Sequence, residues 1–137
     1  MIGVDTNVLL RLYVADDASQ HATASRFFGE RTAESPAYIS MIVFVEFIWA
    51  LTRTYNYGWD RVFALIGALI SAQDILIERE DAVTEALARA VEEKIDLVDA
   101  LIARANADDG CSSTVTFDRK AARRLSSMQL LTGTSRS

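Results

Sequence analysis

Short apolar runs alternate with helical patterns along this sequence. The runs predict strands at residues 1–4, 38–40, 75–77, 113–116 and 128–131. Apolar positions at helical spacing predict helices at residues 8–13, 17–32, 41–54, 59–72, 82–93, 96–108 and 119–125. Strands that alternate with helices form parallel sheets covered by helices on both faces. We therefore expect an α/β fold with a mostly parallel sheet.

The sequence carries no internal repeat, low-complexity block or linker. Breaks between the predicted helices are short and fall at turn-forming residues, such as Ser35-Pro36 and Asp109-Gly110. We expect one domain over residues 1–132, followed by a flexible tail at residues 133–137.

Composition constrains the compartment and the partners. One cysteine excludes an internal disulfide, and the longest apolar stretches, 41–51 and 63–70, are too short to cross a bilayer. Without a secretory signal pattern, these features predict a cytoplasmic protein with no membrane association. A positive mean hydropathy suggests apolar surface reserved for a partner or a second copy. The formal net charge of −5 opposes nucleic-acid binding, unless the acids surround metal ions that reverse the local field.

Two aspartates follow predicted strands. Asp5 comes directly after the first strand, and Asp118 comes shortly after the fourth. Each position also suits a residue that caps the next helix. In parallel α/β sheets, however, functional side chains collect where the strands end. We therefore take both aspartates as candidate site residues.

Glu46 lies in a helix that is predicted to be apolar almost all round. A buried carboxylate without a partner is costly, so it must be neutralised, paired with a cation or directed into a polar cleft. An ion pair with Arg11 or Arg53 is the structural alternative to a functional site.

Asp96 and Asp99 open the sixth predicted helix. Asp96 suits the capping position, and Asp99 then falls at the third helical position, where a carboxylate favours the helix dipole. Apolar neighbours of Asp99 indicate that this turn packs inward, so capping explains Asp99 only in part. We assign Asp99 to the site, and Asp96 to capping or to the rim of the site.

The remaining chemistry favours oxygen ligands for a metal ion. The only histidine, His21, and the only cysteine, Cys111, cannot form a zinc set, and no glycine-rich phosphate loop is present. Carboxylates suit Mg²⁺ or Mn²⁺, which drive phosphodiester hydrolysis without a histidine base. Three polar neighbours are expected to orient the carboxylates by hydrogen bonds, namely Thr6, Asn7 and Thr116.

Four segments together carry a family resemblance. They are Val4-Asp5-Thr6-Asn7-Val8-Leu9-Leu10, Ile39-Ser40 with Val45-Glu46-Phe47, residues 96–103, and Val115-Thr116-Phe117-Asp118. In this order, and over nearly the whole chain, they resemble the PIN-domain family. Within that family the sequence is similar to the small VapC-type toxins of bacterial toxin–antitoxin pairs.

The resemblance implies a three-layer α/β/α fold with a mostly parallel five-stranded sheet. It places the four acidic positions of the family on Asp5, Glu46, Asp99 and Asp118, and two auxiliary polar positions on Asn7 and Thr116. It also implies an endoribonuclease that depends on Mg²⁺ or Mn²⁺, with RNA as substrate, a cognate antitoxin protein as partner, and a homodimer.

Basic and aromatic residues are candidate RNA contacts. Arg11, Arg119 and Lys120 are predicted to contact the RNA backbone, although a solvated helix face would also explain them. Four aromatic residues have the rings needed to stack on bases, namely Phe44, Phe47, Trp49 and Trp59. Packing in the core or in a dimer is the favoured interpretation of these rings.

Other functions fit the sequence less well. A phosphoacceptor signalling domain needs an aspartate after the third strand and a lysine after the fifth, whereas Glu78 follows the third strand and residues 128–131 contain no lysine. A haloacid-type phosphatase needs Asp-x-Asp after the first strand, where this chain has Asp5-Thr6-Asn7. A catalytically idle PIN-like binding module remains open as an alternative.

Overall fold

The structure is a computed structural model that describes residues 1–133. Of the predicted tail, residues 134–137 lie outside the described residues. The chain forms two compact units, the first spanning Met1–Glu80 and the second beginning at Asp81. A single domain over residues 1–132 stays a prediction.

The first unit contains a three-stranded parallel sheet. Strands β1 (Ile2–Gly3), β2 (Ala37–Ile39) and β3 (Ile75–Ile77) are hydrogen-bonded in the order β1-β2-β3. Ala37 lies opposite Ile2 on one side and opposite Ile75 on the other. The helices of this unit are α1 (Thr6–Tyr13), α2 (Ala18–Gly29), α3 (Met41–Trp49) and α4 (Trp59–Ser71), and a π-helical turn (Ala50–Thr54) continues α3.

The core of the first unit covers only one side of α3. Phe44, Phe47 and Ile48 of this helix are fully buried, together with Leu51 of the π-helical turn. On the opposite side Ile42 is 75% exposed, and Glu46 and Trp49 are exposed as well. The prediction of a helix buried all round is therefore wrong, because apolar side chains on the outer face do not reach the core.

The second unit contains a two-stranded parallel sheet, in which β4 (Thr114–Thr116) pairs with β5 (Met128–Leu130). Its helices are α5 (Glu80–Glu93), α6 (Leu97–Asp108) and α7 (Arg119–Arg124). Buried apolar residues come from each helix and include Val83, Ala90, Leu97, Leu101 and Ala121. On the surface, the guanidinium of Arg104 binds the carboxylates of Asp81, Glu85 and Asp108.

All five predicted strands are present and their pairing is parallel, so the α/β prediction is confirmed. Among the described residues they form sheets of three and two strands, so the single five-stranded sheet that the resemblance implies stays a prediction. Each strand has only two or three residues, and so few ladder hydrogen bonds define each pairing. No helix within residues 1–133 has both the length and the apolar character needed to cross a bilayer.

Helix boundaries follow local capping signals. The side chains of five residues each accept a backbone N–H bond at the start of a helix, namely Asp5, Asp17, Ser40, Asp96 and Asp118. Gly110, with a φ of 93°, follows the end of α6, where only a residue without a side chain adopts this backbone conformation at no cost. Capping therefore places three of the candidate site aspartates at helix N-termini.

Candidate functional site

Asp5 links β1 to α1. Its Oδ1 accepts a hydrogen bond from the backbone N–H of Val8 at 3.1 Å, so it caps α1. The side chain is exposed, and its Oδ2 has no hydrogen-bond partner within residues 1–133. Capping therefore occupies one carboxylate oxygen and leaves the other available to a ligand.

Glu46 lies on the exposed face of α3. The hydroxyl of Thr6 donates a hydrogen bond to Glu46 Oε1 at 2.9 Å, which connects the start of α1 to the middle of α3. The expected alternative, an ion pair with arginine, is contradicted. Arg11 pairs with Asp16 at 2.8 Å, and the guanidinium of Arg53 lies over the ring of Trp49.

A cavity of about 650 Å³ opens beside Asp5 in the first unit, between β1, α1 and α2. Asn7 and Arg11 line its wall. The guanidinium of Arg11 donates to Gln20 Oε1 at 2.9 Å and to the hydroxyl of Tyr55 at 3.3 Å, in addition to its ion pair. Arg11 thus has structural partners already, and its contact with the RNA backbone stays a prediction.

In the second unit, Asp96 and Asp99 both lie at the start of helix α6. Asp96 caps α6, because its Oδ1 accepts from the N–H of Val98 at 2.7 Å. Asp99 is half-buried in the first turn of the same helix. Burial, together with the negative charges of Asp96 and Asp118, raises the pKa of the Asp99 carboxyl to about 6. The charges of Asp96 and Asp118 therefore act on the Asp99 carboxyl within this unit.

Asp118 begins α7 directly after β4. Its Oδ1 accepts from the N–H of Ala121 at 3.0 Å, and its own N–H donates to Thr116 Oγ1 at 3.0 Å. The side chain of Asp118 is exposed. Arg119 and Lys120 follow it and are exposed, and within the described chain neither forms an ion pair.

Each unit supplies oxygen donors, but neither holds a complete metal-binding set by itself. Within each unit, the described residues include no group of three carboxylate, histidine or cysteine side chains arranged to hold a metal ion. The donors that are present, the carboxylates of Asp5 and Glu46 in the first unit and of Asp99 and Asp118 in the second, are the type that Mg²⁺ and Mn²⁺ prefer. Burial and the repulsion from neighbouring carboxylates raise the pKa of Asp99, and a divalent cation would relieve the repulsion. The chemistry of the donors therefore fits such an ion.

The hydrogen bond between Thr6 and Glu46 was not expected from the sequence. Thr6 was expected to orient its neighbour Asp5, but its hydroxyl binds a carboxylate 40 residues away. No spacing rule connects two residues at that separation. The only signal in the sequence is a hydroxyl residue next to a candidate acid.

Replacing this hydroxyl tests whether it orients Glu46. For the metal-dependent phosphodiester hydrolysis that the resemblance implies, we expect Thr6→Val to lower the rate by about 10-fold or more, since groups that orient metal-binding side chains contribute about 10- to 100-fold. Thr6→Ser keeps the hydroxyl and should retain most of the activity. The measurement is the cleavage rate of each variant on one RNA at saturating Mg²⁺. Equal rates for the valine and serine variants would contradict the role of the hydrogen bond.

A comparison with protein families gives an independent result. The family model of the PIN domain matches residues 2–126. A comparison with curated proteins finds no match. PIN domains are in general nucleases that depend on divalent metal ions. Because the match covers more than half of the sequence, the chain belongs to the PIN domain family.

Proposed function

We propose that this chain is an endoribonuclease that depends on Mg²⁺ or Mn²⁺ and hydrolyses RNA phosphodiester bonds. Its metal-binding residues are Asp5, Glu46, Asp99 and Asp118. One observation carries the proposal: within residues 1–133, no lysine or arginine forms an ion pair with any of these four carboxylates.

Some acids elsewhere in the chain do form ion pairs. Asp16 is paired with Arg11, and Arg104 is paired with Asp81, Glu85 and Asp108. Arg11 and Arg104 thus pair with acids outside the proposed site, and within residues 1–133 the four candidate carboxylates have no cation partner. Unneutralised carboxylates in a family of metal-dependent nucleases are the expected ligands for divalent ions.

The residues of this chain hold the carboxylates in position. Helix N-terminal N–H groups hold one oxygen of Asp5 and one of Asp118, and the Thr6 hydroxyl holds one oxygen of Glu46. His21 Nδ1 donates to the carbonyl oxygen of Arg11 at 2.7 Å, which ties this side chain to the end of α1. The bound ions would supply the activation of water and the stabilisation of the leaving oxygen. Arg119 and Lys120 would contact the RNA backbone.

Dependence on metal is the direct test of this function. With the purified protein, we expect cleavage of a labelled single-stranded RNA in Mg²⁺ or Mn²⁺ and complete loss of cleavage in EDTA. Adding either metal in excess over EDTA should restore the cleavage, which excludes irreversible damage to the protein.

Two outcomes would contradict the proposal. Cleavage that continues in EDTA would rule out metal dependence. Absence of cleavage under every metal condition, with RNA binding retained, would favour the idle binding module. That alternative has some support, because neither unit alone contains a metal-binding set among its described residues.

We further propose that the nuclease is the toxin of a cytoplasmic toxin–antitoxin pair and that it forms a homodimer. We also propose that its strands belong to one three-layer α/β/α domain. The motifs described above support these points, and the exposed apolar residue Phe117, at 78%, supports a protein partner. Induced expression should arrest bacterial growth, and the Asp118→Asn variant should not. Growth arrest that is equal for both proteins would contradict the toxin role.

A further inference from the structure

The outer face of α3 carries more than Glu46. Ile42 lies one helical turn before Glu46, Trp49 lies almost one turn after it, and Arg53 follows in the π-helical turn. Ile42 is 75% exposed and Trp49 is 39% exposed, whereas the inner face of the helix is buried. An apolar and aromatic surface therefore flanks a candidate catalytic carboxylate.

Trp49 and Arg53 form a stacked pair on this face. The guanidinium carbon of Arg53 lies 4.8 Å from the centroid of the Trp49 ring, within the range of a cation–π interaction. The π-helical turn contains Arg53, and the N–H of Tyr55 bonds to the carbonyl of Ala50 at 3.1 Å, five residues earlier. Such turns occur frequently at functional sites. The indole is therefore held by its neighbour and still exposes more than a third of the residue.

We propose that Trp49 and Arg53 bind single-stranded RNA beside Glu46, with a base stacked on the indole and a phosphate next to the guanidinium. We call this pair of residues the Trp49–Arg53 platform. This inference rests on the proposed function, since it takes Glu46 as part of the site. Trp49 lies three positions after Glu46 in the helix, which is about 4.5 Å along the axis. Stacked nucleotides repeat at about 3.4 Å, so a base next to the cleaved bond is within reach of Trp49.

Charge favours RNA over a protein as the occupant of this surface. Arg53 has no carboxylate partner within the described chain, although the protein has a net charge of −5. A second pair repeats the arrangement nearby, because the guanidinium of Arg61 lies 3.8 Å from the ring centroid of Tyr57 and likewise has no carboxylate partner in residues 1–133. The N–H of Tyr57 bonds to the carbonyl of Leu51 in the π-helical turn at 2.8 Å. Phosphates would neutralise both arginines, whereas an apolar protein surface would leave them unpaired.

The other aromatic candidates are not available for stacking. Phe44 and Phe47 are fully buried in the core. Trp59 stacks on Phe63, with ring centroids 5.5 Å apart. Among the four aromatic residues considered from the sequence, Trp49 is the one with an exposed ring on the face of Glu46.

Fluorescence reports base stacking directly, because Trp49 and Trp59 are the two tryptophans of the chain. In a Trp59→Phe protein, Trp49 is the only indole that emits. With Asp118→Asn added to keep the RNA intact, titration with a short single-stranded oligoribonucleotide in Mg²⁺ should quench this emission. The matched Trp49→Phe, Asp118→Asn protein, which emits from Trp59, should show no quenching. The same oligonucleotide in duplex form should quench neither protein.

Kinetics separate this contact from catalysis. Stacking on an aromatic ring strengthens binding in the ground state and the transition state alike, so we expect Trp49→Ala to raise KM by about 10-fold and to change kcat little. Trp49→Tyr keeps an aromatic ring and should restore most of the affinity. Arg53→Ala should lower the slope of log affinity against log salt by about 1, and Arg53→Lys should preserve this slope.

The outcomes distinguish the platform from the proposed function. If the wild-type protein cleaves RNA but Trp49→Ala leaves KM unchanged and no quenching occurs, the platform is overturned and the nuclease stands. If the protein cleaves no RNA but the quenching occurs, the nuclease fails and the RNA-binding surface stands. If Trp49→Ala changes the oligomeric state in sedimentation and leaves RNA affinity unaltered, the face is a protein interface and the platform is overturned.

Discussion

Asp5→Asn and Asp118→Asn are each expected to lower RNA cleavage by about 1000-fold or more. The reason is that a metal ion contributes several kcal/mol of transition-state stabilisation, and each 1.36 kcal/mol corresponds to about a factor of ten. An amide has the shape of the carboxylate without its charge, so it binds a divalent cation poorly. Initial rates on a labelled single-stranded RNA, measured over a range of Mg²⁺ concentrations, provide the measurement.

Asparagine is the informative substitution because both aspartates cap helices. Asp5 accepts from Val8 N–H and Asp118 accepts from Ala121 N–H. Asparagine caps a helix about as well as aspartate, whereas alanine at such a position costs about 1 kcal/mol. We therefore expect the asparagine variants to unfold at the same denaturant concentration as the wild type, and Asp5→Ala to unfold earlier.

Charge-matched controls separate the site from the surface. Glu34 in the first unit and Glu92 in the second are both exposed. Glu34→Gln and Glu92→Gln remove one negative charge each and should cleave RNA at the wild-type rate. Activity within about threefold of the wild type in both aspartate variants would contradict their role as metal-binding residues.

Asp99→Asn is expected to stabilise the metal-free protein at neutral pH. The carboxyl of Asp99 has a pKa of about 6 in the folded chain, against an ordinary value of 3.8, because burial and the charges of Asp96 and Asp118 disfavour its ionised form. These two effects outweigh the attraction of the α6 N-terminus for a negative charge. Asparagine is neutral, so its burial beside Asp96 and Asp118 does not carry the free-energy cost of an ionised carboxyl.

The raised pKa sets the direction of the pH dependence. The folded state binds the proton more tightly than the unfolded state, so the stabilisation from protonated Asp99 is full below about pH 4 and is lost as pH rises through about 6. A shift of two units corresponds to about 3 kcal/mol, and solvent screening of this half-exposed carboxyl reduces it to about 1 kcal/mol. Urea unfolding in EDTA at pH 4.5 and pH 7.5 should therefore show Asp99→Asn gaining about 1 kcal/mol over wild type at pH 7.5 only.

Metal binding gives the complementary observation. Mg²⁺ stabilises the folded state in proportion to its affinity, and we expect the wild type to gain more stability from Mg²⁺ at pH 7.5 than Asp99→Asn does. Glu92→Gln serves again as the control and should gain as much as the wild type. An Asp99→Asn protein that is less stable than wild type at pH 7.5, and equally stabilised by Mg²⁺, would contradict both the electrostatic cost and the metal role.

Local sequence signals were sufficient to predict the helices and strands and to predict where the candidate acids lie along them. The strand at residues 75–77 and the boundary between α5 and α6 could be predicted because apolar periodicity and turn residues act within a few positions. The caps at Asp5, Asp96 and Asp118 could be predicted for the same reason, since a cap binds an N–H two or three residues away.

The environments of those acids depended on contacts between distant parts of the chain. The apolar residues around Glu46 predicted a buried helix, but hydrophobicity does not specify which side of a helix faces the core, and Glu46 lies on the exposed side. Thr6 binds Glu46 across 40 residues, and the pKa of Asp99 responds to Asp118 on another element. Spacing along the chain predicts which residue types are present and which helix or strand carries them. Their exposure, their partners and their protonation follow from how the elements pack, because solvation and electrostatic interactions depend on distance in space.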